Sequence, residues 1–195
     1  MDDWRARLTA ALARDTGPSS DYDLNPATAP RDPRLRGAGV LVPVCLETSA
    51  LILTKRASHL SQHPGQIAFP GGKIDDTDVD ATDAALREAE EEIGLPRDAV
   101  EVVGTLPEHQ TVTGYAMTPI LGLVTRRFEE VPEPGEVAEV FRVPLDFVTD
   151  PARFAIESRD WRKQTRYYFT VPYGPYYIWG ATARILRGLA GRLAP

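Results

Sequence analysis

Residues 71–95 read GGKIDDTDVDATDAALREAEEEIGL, a glycine turn, an acidic loop and a helical stretch that carries Glu88, Glu91 and Glu92 on one flank. Residues three and four apart on a helix share a face, so these carboxylates project into one sector. Ala85, Leu86, Ala89 and Ile93 fall on another sector and form the stripe that packs on a core. The spacing predicts a helix from about Ala81 to Ile93, with Thr77, Asp78 and Asp80 able to cap its start. Gly94, Leu95 and Pro96 supply the stop signal. Arg87 precedes Glu91 by four positions and can hold that carboxylate in one orientation. Three crowded carboxylates repel one another in water, and a divalent cation neutralises them, which points to phosphate chemistry. Taken alone, a run such as EAEEE is more often an acidic face bathed in water.

Working outward, residues 39–46 and 51–55 are apolar, β-branched runs separated by Glu47-Thr48-Ser49, which suits a hairpin. Residues 100–106 and 117–124 read as further strands. The segment 126–135, with Pro132 and Pro134, reads as a loop, and 137–143 as an extended or short helical piece. Residues 154–158 and 165–171 flank the turn-like Arg159-Asp160-Trp161-Arg162, giving a second hairpin, and 179–193 is helical. At the start, Trp4, Leu8, Ala11 and Leu12 stand at helical spacing within 2–14, followed by a Pro-rich connection over 17–36. Strands interrupted by one central helix and closed by another give an α/β fold with a mixed sheet between helices.

A chain of 195 residues with 43% hydrophobic content can bury a sizeable core and forms one domain. A net charge of -6 argues against nucleic acid as a partner, because phosphate contacts require a basic surface. No run of eighteen apolar residues exists and Met1-Asp2-Asp3-Trp4-Arg5 lacks a signal-peptide pattern. The expectation is a cytoplasmic protein with no membrane partner. Cys45 is the single cysteine and lies in an apolar run, so it is expected to be a buried structural thiol.

Arg87-Glu88-Ala89-Glu90-Glu91-Glu92-Ile93-Gly94-Leu95 resembles the second half of the Nudix hydrolase box, which reads Arg-Glu, an apolar residue, any residue, Glu-Glu, any residue, Gly and an apolar residue. The first half departs from it. Asp78 stands where Glu is expected, and eight residues rather than seven separate it from Arg87. An extra residue inside the helix would rotate the carboxylates by about 100°. The insertion therefore belongs before Ala81. A second stretch, Ile52-Leu53-Thr54-Lys55-Arg56 followed by residues 59–72 (HLSQHPGQIAFPGG), is similar to the added motif of the coenzyme A pyrophosphatase branch. Ala57 stands where that motif has Ser, and Ser61 where it has Arg. Val112-Thr113-Gly114-Tyr115, residues 136–145 and residues 178–183 resemble the same branch.

The resemblance implies an α/β/α Nudix sandwich over 37–195, preceded by a helix and connection over 1–36. It implies Mg²⁺ or Mn²⁺ held by Glu88 and Glu92 with help from Glu91, and a backbone carbonyl at Gly71 or Gly72 completing the site. Glu91, Glu136 and Glu139 are all candidates for the general base, with Glu88 and Arg87 in the same catalytic group. The implied small-molecule substrate is coenzyme A or a thioester of it, cut at the diphosphate to 3′,5′-ADP and 4′-phosphopantetheine. Lys55, Arg56, Gln66, Gly71, Gly72, Lys73, Thr113 and Tyr115 are the expected substrate residues. His59 and His63 read as surface or hydrogen-bonding residues, and Tyr176, Tyr177 and Trp179 as core and helix packing rather than an adenine cage. The absent Arg at Ser61 keeps NADH, ADP-ribose or another nucleoside diphosphate derivative open, and a non-catalytic ligand sensor is the third reading. Domains of this family often dimerise, which leaves a homodimer open.

Overall fold

The computed structural model describes residues 3–14, 16–161 and 164–194. The chain begins with α1 (Trp4–Leu12), β1 (Ser19–Ser20), β2 (Arg36–Cys45), β3 (Ala50–Arg56), β4 (Ile67–Ala68) and β5 (Gly71–Lys73). Then come α2 (Ala81–Ile93), β6 (Val100–Thr105), β7 (His109–Gln110), β8 (Tyr115–Val124), β9 (Val137–Pro144) and the single turn α3 (Leu145–Val148). β10 (Ala155–Trp161), β11 (Gln164–Thr170) and α4 (Gly180–Leu193) complete it.

β2 is the axis of a mixed sheet. It runs parallel to β8 from Arg36↔Tyr115 to Cys45↔Val124, and antiparallel to β3 and β5. β9 adds to the other side of β3, antiparallel, and β10 and β11 form a separate hairpin. Side chains on a strand alternate between faces, and β2 is apolar on both. Val40, Val42 and Val44 enter one core cluster with Trp4, Leu8, Leu186 and Leu189, the inner faces of α1 and α4. Leu41 enters the other, with Ala85, Ala89 and Ile93 of α2. The sheet is therefore sandwiched between helices, as the strand-and-helix pattern predicts.

α2 keeps its predicted bounds because its signals are local. Asp80 caps the start, its carboxylate accepting the N–H groups of Thr82 at 2.7 Å and Asp83 at 2.9 Å. Gly94 ends the helix at φ 70°, with Gly94 N–H donating to Glu90 and Leu95 N–H to Ala89. The glycines at 71 and 72, in contrast, form no turn. They are strand β5, with Gly71 opposite Val40 and Gly72 opposite Gly39. An added Cβ at Gly39 would stand 2.0 Å from the Ala81 carbonyl oxygen, so α2 sits directly on bare backbone.

Residues 137–143 take the extended one of their two expected forms, because β9 pairs along β3. Other details differ from expectation. The second hairpin is longer than predicted, reaching Trp161 and Gln164, and Arg162 lies outside the described residues. Cys45 is half-buried at the end of β2 rather than enclosed. The short strands β1, β4, β5 and β7 were not anticipated. α1 is tied to α4 by polar bonds as well as packing: Arg192, 4% exposed, donates from Nη1 to the Ala11 carbonyl at 3.0 Å. Arg14 Nη1 returns a bond to the Arg192 carbonyl at 2.8 Å. Among the described residues no helix is long and apolar enough to cross a membrane.

Two glycine-to-alanine changes should have opposite signs. Gly39→Ala forces α2 off the sheet and is expected to destabilise by about 3 kcal/mol. Gly188→Ala lies within α4, where a Cβ would come no nearer than 3.8 Å to the Arg184 side chain, and should stabilise by roughly 0.5–1 kcal/mol. Urea midpoints at unchanged slope read both, and a neutral Gly39→Ala would refute the close approach.

Candidate active site

Glu88, Glu91 and Glu92 leave the same helix but end in three different settings. Glu92 is 5% exposed, and its Oε2 accepts the Gly71 N–H at 3.0 Å. Burial pushes its carboxyl up to about 8, with repulsion from Glu88 and Glu136 adding to the rise and Gly71 N–H and Arg56 opposing it. Glu88 is half-buried over β5, where an added Cβ at Gly72 would stand 2.3 Å from its Oε1. Its carboxyl is also raised, first by burial, against the pull of Arg87. Glu91 is exposed.

Arg87 organises this flank through a partner the helix does not contain. Its Nε and Nη2 donate to the two carboxylate oxygens of Asp78 at 2.8 Å and 2.9 Å, a bidentate pair. Nη1 then reaches Glu88 at 3.0 Å and Glu91 at 3.1 Å, and Nη2 also donates to the Lys73 carbonyl at 3.2 Å. The Asp78 side chain is 2% exposed, and Arg87, followed by the Asp75 N–H, holds it down at about 2. Asp78 is therefore the anchor of Arg87 rather than a helix cap. Its signal in the sequence is its place in the box, where Glu is usual.

The opposite wall comes from the end of β3. Arg56 N–H donates to Gln66 and its carbonyl accepts from Gly65, so the 57–66 segment is closed back onto it. Ala57 N–H donates to the Glu136 carbonyl, which brings the loop before β9 alongside. The charge of Arg56 bears on Glu92, yet its buried Nε has no hydrogen-bond partner. Glu136 is exposed, and its charge acts on both Glu88 and Glu92. Glu139 is engaged elsewhere, its carboxylate accepting the Tyr176 hydroxyl.

The structure thus gathers Glu88, Glu92, Glu136, Arg56, Arg87, Gly71 and Gly72. Thr113 and Tyr115 are not gathered with them. Thr113 bonds to Thr111 at 3.0 Å, and Tyr115 lies under the Arg36 guanidinium, so their contacts stay in the 111–115 turn and on β2. Lys73 and Lys55 are exposed, and His59 Nε2 meets the Gly135 carbonyl at 3.2 Å. Gln66, Lys55 and His63 instead line a second groove with Tyr176, Tyr177, Trp179 and Arg159. Tyr176 does pack, stacked on Phe141 at 3.6 Å, but these aromatics also face open space. Sequence reasoning missed Arg159 altogether.

A family model described as the NUDIX domain matches residues 35–164. The chain belongs to the Nudix family. It is 42% identical over 156 residues to the uncharacterized Nudix hydrolase NudL of Enterobacter sp. (strain 638), covering 80% of this chain and 81% of that one. Similarity to NudL of Escherichia coli (strain K12) has the same identity and coverage. Among solved structures, the Nudix hydrolase RenU of M. smegmatis is 28% identical with a TM-score of 0.47, covering 57% of this chain and 71% of that one. As a Nudix hydrolase the protein acts on phosphorus-containing acid anhydrides.

Nudix hydrolases generally use divalent metal ions, and the donor set here suits one. Hard cations such as these take oxygen ligands. Glu88 and Glu92 are carboxylates in a half-buried crevice, they repel one another, and Gly72 leaves the space that Glu88 fills. Among the described residues no three acidic, His or Cys side chains stand together as a ready-made cage. The reason is visible: Arg87 holds Glu88 and Glu91, while the Gly71 N–H holds Glu92.

The raised carboxyl of Glu92 has a definite sign. Its folded value of about 8 lies above the ordinary 4.5, so between those limits the folded chain binds the extra proton and stability falls as pH rises. In chelator, the melting temperature should drop from pH 5 to pH 9, and Glu92→Gln should flatten that dependence. An unchanged slope in the variant would remove Glu92 as the cause.

Proposed function

We propose that this Nudix hydrolase cleaves the diphosphate of coenzyme A or its derivatives, giving 3′,5′-ADP and 4′-phosphopantetheine or its acyl form. The observation that carries the reading is Arg56. It belongs to the stretch that resembles the coenzyme A branch, its charge falls on Glu92, and its buried Nε has no partner in the protein. A buried guanidinium N–H left unpaired is costly, and a phosphate oxygen is the acceptor it suits best.

Glu88 and Glu92, with Glu91 beside them, are the residues that would hold Mg²⁺ or Mn²⁺, which when bound neutralises phosphoryl charge and lowers the pKa of a water. Arg87, pinned by Asp78, keeps Glu88 and Glu91 in fixed orientations. Arg56 donates to the diphosphate, and Gly72 leaves room for the Glu88 carboxylate over β5. We assign the general base to Glu136. Glu139 has given its carboxylate to Tyr176 and Glu91 accepts from Arg87, whereas Glu136 is exposed and acts on both Glu88 and Glu92.

Glu92→Gln should abolish turnover while the fold persists. Glu136→Gln should lower kcat by about 10²–10⁴-fold, and Glu139→Gln by less than about tenfold. The reverse order would move the base to Glu139. A second reading, hydrolysis of NADH or ADP-ribose, is favoured by Ser61, an exposed hydroxyl where the coenzyme A branch has a cation. Purified protein with Mg²⁺ and, separately, coenzyme A, NADH and ADP-ribose, with products resolved by mass, decides between them. Preference for coenzyme A supports the proposal, and equal cleavage of all three overturns it.

A further inference from the structure

Between the 63–67 segment and the connection from β11 to α4 lies an open groove of about 390 Å³, lined by aromatic and basic side chains. Its aromatic wall is Trp179, half-buried ahead of α4, with Tyr177 tilted against it at 6.4 Å and Tyr176 alongside. The Arg159 guanidinium lies 4.6 Å over the Trp179 ring. Lys55 and His63 add basic groups to the same lining, in a chain whose net charge is -6. The nearby carboxylates of Glu139 and Glu157 accept the hydroxyls of Tyr176 and Tyr177, so each is turned to a phenol.

Two features tie this groove to the carboxylate site. Lys55 lines the groove, and the next residue, Arg56, acts on Glu92. The rim at His63 holds a left-handed backbone, φ 54°, uncommon outside glycine, and the turn is closed by Gln66 N–H donating to His63 and Gly65 N–H to Arg56. The groove wall and the arginine whose Nε is unpaired are therefore parts of one hydrogen-bonded turn.

We infer that this groove binds the nucleotide end of the substrate, its base against Trp179 and Tyr177 and its additional phosphate met by Lys55 and Arg159; the inference rests on the coenzyme A reading above. A guanidinium laid on an indole offers both a flat surface for a base and a donor fork for a phosphate. The pantetheine arm is uncharged and not aromatic, so it would use neither property. A nucleotide carrying a second phosphate uses both.

The test uses the full chain with Lys55→Ala and Arg159→Ala, both at exposed positions, each checked for an unchanged melting temperature. Binding of 3′,5′-ADP, followed by calorimetry, should weaken about tenfold in each variant. The KM for coenzyme A should rise to match while kcat stays near wild type. Dephospho-coenzyme A, which lacks the 3′-phosphate, should show the same KM in wild type and Lys55→Ala. Unchanged 3′,5′-ADP affinity and unchanged KM in both variants overturn the groove assignment while leaving coenzyme A hydrolysis intact. Wild-type protein that binds 3′,5′-ADP, loses it in the variants and cleaves no coenzyme A instead overturns the proposed reaction and supports the groove as a nucleotide site.

Discussion

The close approach of α2 to β2 and β5 sets the conditions for everything at the site. A helix normally rests on a sheet through side chains, but Gly39, Gly71 and Gly72 present backbone alone. With that spacing the Ala85, Ala89 and Ile93 stripe closes one core cluster, and the neighbouring acidic flank is pressed onto β5. Glu92 is drawn out of water as a by-product of packing. A side chain at Gly39 would hold the helix away, one at Gly72 would displace the Glu88 carboxylate, and one at Gly71 would push β5 off β2.

Charge balance at the flank follows from that burial. Arg87 is shared by Asp78, Glu88 and Glu91, and the Asp78 pair takes its strongest geometry. Glu92 makes its hydrogen bond to a backbone N–H and feels Arg56 through space. Glu136 adds a further negative charge from across the crevice. Carboxylates thus outnumber the cations that can reach them, in a place where desolvation makes each uncompensated charge costly. Burial, with repulsion from Glu88 and Glu136, answers the excess by raising the Glu92 carboxyl and so favouring its neutral form.

What was legible in the sequence was what short-range chemistry specifies. Asp80 and Gly94 bound α2 because cap and stop act within a few residues, and β2, β3, β6 and β8 announce themselves as apolar runs. β4 and β5 have two and three residues and owe their extended form to partners on β3 and β2, so no local pattern marks them. The tie from Asp78 to Arg87 spans a loop and a helix start, and only the spacing of the Nudix box hinted at it. The carboxylate helix was readable, but the separate fates of its three glutamates were not, since each depends on what β5 and Arg87 offer. The aromatic groove was missed for the same reason. Residues 176–179 meet the 63–66 turn only after more than a hundred intervening residues have folded into place.

The clasp between Arg192 and the α1 carbonyl of Ala11 joins α1 to α4, 181 residues further along the chain. Trp4 and Leu8 bury in a cluster that includes Leu186 and Leu189 of α4, so α1 has no finished resting place until α4 has been made. At about 5–20 residues per second, the ribosome needs on the order of ten seconds or more to deliver α4 after α1 has emerged. For that interval Trp4 and Leu8 lack the α4 side of their cluster. The packing of α1 is thus completed only once α4 is there to meet it.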